Sequence, residues 1–169
     1  MIKPNPTQNE KTLKSDDFIV SKTDTHGKII YGNKMFIKIS GYEEKELLDA
    51  PHSLLRHPDM PKVIFDLLWQ RLKNKQEIFA YVKNLCKDGS FYWVFANVTT
   101  TLSENGSIRD FHSVRRKPSL KAMSVIPDLY RQLLSSEKSG GLEASKVLLQ
   151  KNLDEKGVDY DSFILSLQQ

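Results

Sequence analysis

A single cysteine, Cys86, in 169 residues excludes an internal disulfide and any multi-cysteine metal site. No run of about 18 apolar residues occurs, so no segment reads as a membrane-spanning helix. Met1 to Asn9 carries no apolar core of the kind a secretory signal needs. Together these absences point to a cytoplasmic chain. Catalytic signatures are missing as well: there is no glycine-rich phosphate loop, no His-Glu-x-x-His helix and no nucleophile elbow. Asp16-Asp17, Glu43-Glu44 and the Asp159/Asp161 pair read as caps and solvated faces, not as acid/base pairs. Turnover is therefore not expected. A strong charge of either sign is also lacking, since the formal net charge is only +4. The densest basic run, Arg115-Arg116-Lys117, has no second basic stripe or aromatic platform beside it. It reads as a solvated strand end, and no nucleic-acid contact is expected.

What is present is a chain with the composition of a soluble globular protein, 39% hydrophobic and 27% charged. Its length suits one domain plus an appendage, and folding would bury roughly 70% of the extended surface. Residues 1–15 are polar and read as a flexible leader. Residues 16–118 read as one domain, and residues 119–169 as a helical extension. No internal repeat is found.

Within the domain, Phe18-Ile19-Val20 and Lys28 to Tyr31 form a hairpin about the turn Asp24-Thr25-His26-Gly27. Asn33 is an N-cap for a short helix carrying Met35, Phe36 and Ile39, which Ser40-Gly41 closes. A second short helix spans Glu43 to Leu48. Asp59 is placed to cap a longer helix with Met60 and Pro61 in its first turn, and Val63, Ile64, Leu67, Leu68 and Leu72 as its apolar stripe. From Glu77 the period changes to two. Strands are expected over Ile78–Leu85, Phe91–Leu102 and Ile108–Arg116, joined by Asp88-Gly89 and Asn105-Gly106 turns. Two strands, several helices and a three-stranded meander make an α+β domain with a five-stranded antiparallel sheet and short helices on one face.

The strand Phe91–Leu102 is apolar on both sides, with Phe91, Trp93 and Phe95 on one and Tyr92, Val94 and Val98 on the other. It must therefore be covered twice. A cavity can lie on one side; the tail helices, a second copy or another protein must cover the other. In the tail, Leu129, Leu133 and Leu134 mark a helix after Pro127. Ser135 to Gly141 reads as a polar linker. Leu142–Leu153 and Tyr160–Leu167 read as two further amphipathic helices.

Three stretches resemble the flavin-binding PAS domain of bacterial aerotaxis receptors. They run from Asn33 to Ser40-Gly41-Tyr42, from Pro51-His52 to Arg56-His57-Pro58-Asp59-Met60-Pro61, and from Val82-Lys83-Asn84 through Gly89 and Tyr92-Trp93-Val94 to Ala96-Asn97. The six-residue run Arg56 to Pro61 is the most specific of them. A PAS domain with a brief helical tail is similar to the cytoplasmic subunits of split energy-taxis receptors, whose partner is a membrane-bound chemotaxis transducer. The resemblance implies FAD as cofactor, a redox sensor as function, and Asn33, Arg56, His57, Asp59, Trp69 and Asn84 as its cofactor-binding residues. Arg56 and His57 suit a pyrophosphate, Asn84 the edge of an isoalloxazine ring, and Trp69 a stacking contact or the core. The family pattern has tryptophan where this chain has Ile78, so Phe79 and Tyr81 are the aromatics available to replace it.

Other readings stay open. Asp59 and Asn33 serve equally well as helix caps, and Arg56 can pair with Asp59. Haem is an alternative cofactor, with His57 or His52 as axial ligand. A cofactor-free interaction module is a further alternative. Cys86 lacks the Asn-Cys-Arg context of a blue-light adduct, so none is expected.

Overall fold

A computed structural model describes residues 1–169. Strands β1 (Ile19–Thr23) and β2 (Ile29–Gly32) form the first hairpin. Its turn is closed by the Asp24 carboxylate, which accepts the N–H groups of His26 and Lys28. Helices α1 (Lys34–Ser40) and α2 (Glu44–Leu47), a 3-10 turn over His52–Leu55, and α3 (Lys62–Lys73) follow. The meander β3 (Ile78–Leu85), β4 (Phe91–Leu102) and β5 (Ile108–Arg116) has the bounds that the alternation predicts. All pairings are antiparallel, in the order β2-β1-β5-β4-β3.

Register decides which side chains share a face. Ala80 lies opposite Ala96, Ala96 opposite Arg115 and Arg115 opposite Ile19. One step along, Val98 lies opposite Ser113, and Ser113 opposite Ser21. The centre of this inner face is thus paved with small residues, which leaves a gap beneath the helices that cross it. The other face carries Phe79, Tyr81, Trp93 and Phe95, with the Phe79 and Phe95 rings stacked at 5.7 Å.

The tail covers that outer face. It consists of α4 (Leu120–Met123), α5 (Ile126–Lys156) and α6 (Tyr160–Leu167). Tyr130 Oη donates to the Tyr81 carbonyl at 2.6 Å and Tyr160 Oη to the Phe79 carbonyl at 2.8 Å. Tyr81 Oη in turn donates to the Ile164 carbonyl at 3.1 Å. Gly141, at φ 72° and ψ −168°, breaks α5 into two limbs, a conformation that glycine adopts without steric cost. The second limb places Leu149 and Leu153 in one apolar core with Val63 and Ile64 of α3.

Three expectations need correction. Ser135 to Gly140 is helical, not a linker. It is held because Glu137 accepts the N–H groups of Lys62 and Val63 at 3.0 and 2.9 Å and a hydroxyl bond from Ser145. For the same reason Asp59 does not cap α3. The helix starts at Lys62 behind Pro61, which has no side-chain acceptor, and the tail supplies the missing cap. The residues read as a flexible leader lie in contact with the domain. Thr7 and Lys11 donate to the carbonyls of Gly89 and Phe91, Phe91 donates back to Asn9, and Leu13 is buried. Gly89 permits this approach: a Cβ there would meet the Asn5 carbonyl oxygen at 2.3 Å.

Candidate functional site

The gap over the small residues is a cavity of about 250 Å³. Its apolar wall is α3, through Phe65, Leu68, Trp69 and Leu72, facing Val82, Ala96, Val98 and Phe111 of the sheet. Helical spacing aims those four α3 residues at one surface. Trp69 packs edge-on against Phe111 at 5.4 Å. The polar lining includes Ser21, His52, Arg56, Asn84, Ser113 and Arg115, and no lining residue carries a carboxylate.

Three of these groups have donors without acceptors. Asn84 Nδ2, Arg56 Nε and Arg115 Nε are buried and unpartnered. Such groups are rare in native proteins, because each forfeits its bond to water. Asn84 sits near the end of β3, where its backbone bridges to Arg56. Arg56 follows the 3-10 turn and lays its guanidinium over the Phe65 ring at 3.8 Å. Arg115 is enclosed at 2% exposure. Its Nη2 donates to Ser21 Oγ at 2.5 Å, its Nη1 lies 3.5 Å from His52 Nε2, and the Phe36 ring is 4.8 Å away. Burial, and then the neighbouring Arg115 charge, lower the His52 pKa to about 3. The imidazole is therefore neutral and available to the guanidinium as an acceptor.

Of the residues that the resemblance singles out, the fold brings Arg56, Trp69 and Asn84 to the cavity and leaves Asn33, His57 and Asp59 outside its lining. Asn33 caps α1 by accepting the Phe36 N–H at 3.0 Å and ties Phe18 down through Nδ2. His57 is buried edge-on against Phe91, and its Nδ1 accepts the Asp59 N–H. Burial, reinforced by Lys83, lowers its pKa to about 4. Asp59 pairs with Lys83 at 2.7 Å and not with Arg56. Partial burial pushes its carboxyl up, but the bond from Lys83 outweighs this and holds it below the usual range.

The basic run at the end of β5 needs correction as well. Only one side of a strand faces solvent or tail, so adjacent arginines must straddle the sheet. Arg115 enters the cavity beside Ser21, while Arg116 lies on the outer face over the Phe95 ring. Counting alternation back from Phe111 through Ser113 would have found it. Phe79 and Tyr81 also lie on the outer face against Phe95, so neither replaces the aromatic wall lost at Ile78. Cys86 lies outside the cavity lining, where its thiol donates to the Ile39 carbonyl and burial raises its pKa.

Residues 29–115 match the family described as the PAS fold. The aerotaxis receptor of Escherichia coli (strain K12) is 35% identical over 136 residues, which is 80% of this chain and 27% of that protein. A nitrogen fixation regulatory protein of Klebsiella oxytoca is 30% identical over 57% of this chain and 20% of its own length. The chain thus spans about a quarter or less of the length of these relatives. Among solved structures, the light state of the blue-light photoreceptor Aureochrome1 LOV superposes with a TM-score of 0.55 at 20% identity, over 74% of this chain and 92% of that one. A PAS domain from Colwellia psychrerythraea gives 0.55 at 22% identity, over 59% and 85%.

Proposed function

Because the chain belongs to the PAS family, we propose that it is a cytoplasmic redox sensor that holds the ring system of FAD in this cavity and reports to a membrane-bound chemotaxis transducer in energy taxis. One observation carries the reading. Three buried donors, on Asn84, Arg56 and Arg115, converge on an apolar slot with no acceptor of the protein's own to receive them. They call for a ligand rich in acceptors. At about 250 Å³, the slot falls just under the roughly 300–1,000 Å³ of whole drug-sized ligands. It matches a planar ring system and not an entire dinucleotide.

Bound FAD would supply a redox-active ring whose charge and hydrogen bonding differ between its oxidation states. The chain's own groups do the rest. Asn84 would donate to the ring, Arg56 would offer it positive charge, and Trp69 would pack against it. Asn33, His57 and Asp59 act as positioning residues: they fix the start of α1 and the segment that presents Arg56. A change in the acceptor facing Asn84 would pull on β3, whose opposite side holds Tyr81 and, through it, the tail. That relay makes the tail the surface that the transducer reads. Haem is less well supported: of the two histidines considered as its ligand, His57 lies outside the cavity lining and His52 already turns Nε2 to Ser21 and Arg115.

The visible spectrum of the purified chain tests this directly. A two-banded yellow flavin spectrum is expected. A Soret band would replace flavin with haem, and no colour after reconstitution with FAD would leave an interaction module. Asn84→Ala and Arg56→Ala should each lower flavin retention while the far-ultraviolet dichroism stays native. Full retention in both would remove these residues from the site.

A further inference from the structure

The cavity's polar lining includes a cluster, Ser21, His52 and Arg115, that the resemblance assigns no role. Arg115 is a fixed positive charge enclosed in the protein. Its surroundings are Ser21, the neutral ring of His52 and the face of Phe36. The other charged lining residue is Arg56, another cation. A buried charge without an opposite partner costs several kcal/mol to hold. A hydroxyl and an imidazole orient the guanidinium but do not neutralise it, and its Nε remains without an acceptor.

The sequence spends effort to keep it there. Arg115 is flanked across the sheet by Ala96, a side chain too short to cover it. Small Ser21 and Ser113 pair beside it in the next register step. The arrangement clears space in front of a charge instead of filling it. The simplest account of such a charge is that its partner belongs to the ligand.

We propose that Ser21, His52 and Arg115 form an anion-recognition subsite, which binds the edge of the ligand that carries negative charge or acquires it. In the flavin reading, on which this inference rests, that edge is the pyrimidine side of the ring, whose ring nitrogen can give up a proton when the ring is reduced. Arg115 then stabilises the reduced, negatively charged form more than the oxidised, neutral one, and raises the potential at which the chain switches. Ser21 and His52 are positioning residues that hold the guanidinium in place.

Arg115→Met and Arg115→Lys, made in the full chain, separate this from a structural role. With FAD as probe, Arg115→Met should weaken binding at least tenfold and shift the reduced-to-oxidised equilibrium at least tenfold toward the oxidised form, about 30 mV for a two-electron couple. The ligand-free Arg115→Met protein should melt no lower than the parent, because an uncompensated charge has been removed. Arg115→Lys should recover part of the potential. Equal FAD binding and equal potential in parent and Arg115→Met would overturn the subsite and leave the flavin reading intact. Weaker binding accompanied by a lower ligand-free melting temperature would also overturn it, by showing that Arg115 is structural. A parent chain that takes up no FAD would overturn the flavin reading first, and this inference with it.

Discussion

The two faces of the sheet are made from the same strands yet treat polar atoms in opposite ways. Where the tail meets the outer face, the tyrosine hydroxyls have partners: Tyr130 on the Tyr81 carbonyl, Tyr160 on the Phe79 carbonyl, Tyr81 on the Ile164 carbonyl. On the inner face Asn84, Arg56 and Arg115 each leave a buried donor unmet. Burial alone cannot explain the contrast, since Tyr81, Asn84, Arg115 and Tyr130 are all almost fully enclosed. The outer face is complete within the chain and serves stability. The inner face is incomplete within the chain, since its buried donors find no acceptor there.

The comparison breaks most visibly if the outer face is not the stabilising one. Tyr130→Ala removes a buried ring and a hydrogen bond at once and should cost about 3–5 kcal/mol, read as a lower urea midpoint. A loss below about 1 kcal/mol would mean that the tail only rests on the sheet. The inner face should be the acid-sensitive one. The unfolded chain takes up a proton near pH 6.5 that folded His52 refuses until about 3. Stability is therefore complete above pH 6.5 and falls as the pH drops through that window, by about 1.4 kcal/mol per pH unit at the steepest. His57, lowered to about 4, adds a loss of the same sign. His52→Gln keeps an acceptor for Arg115 and should flatten the slope by about one proton; an unchanged slope between pH 6 and 4 would remove His52 as its source. The smallest effect concerns the link between the faces. Glu137→Ala deletes the cap that the tail lends to α3 and should cost about 1 kcal/mol. Unaltered stability would leave the tail joined to the cavity wall by apolar packing alone.

Most of the sheet was legible because its strands alternate cleanly and its turns carry Asp-Gly and Asn-Gly. The α3 start was not, because Pro61 has no acceptor and the residue that supplies one, Glu137, is 75 positions from Lys62. Local pattern cannot find a cap made by tertiary contact. Ser135 to Gly140 misled for a related reason: serine and glycine favour loops, and only the Glu137 anchor overrides them. Of the cavity lining, Arg56, Trp69 and Asn84 were singled out by resemblance, while Arg115 was hidden by treating three basic residues as one run. Charge density averages over a strand; side-chain direction does not. His57 and Asp59 carried strong chemical signals, yet the His57 ring accepts the Asp59 N–H and the Asp59 carboxylate pairs with Lys83.

The tyrosine hydroxyls have one more consequence. β3 is the last strand of the sheet, and its outward carbonyls are spoken for: Phe79 by Tyr160, Tyr81 by Tyr130, and Lys83 by the His57 N–H. A strand edge in that condition cannot template another strand. The opposite margin, β2, is only four residues long. Ile29 there already exchanges backbone bonds with Asp49 and Ala50, so growth of this sheet by strand addition, whether wanted in assembly or unwanted in aggregation, is blocked at one margin and cut short at the other.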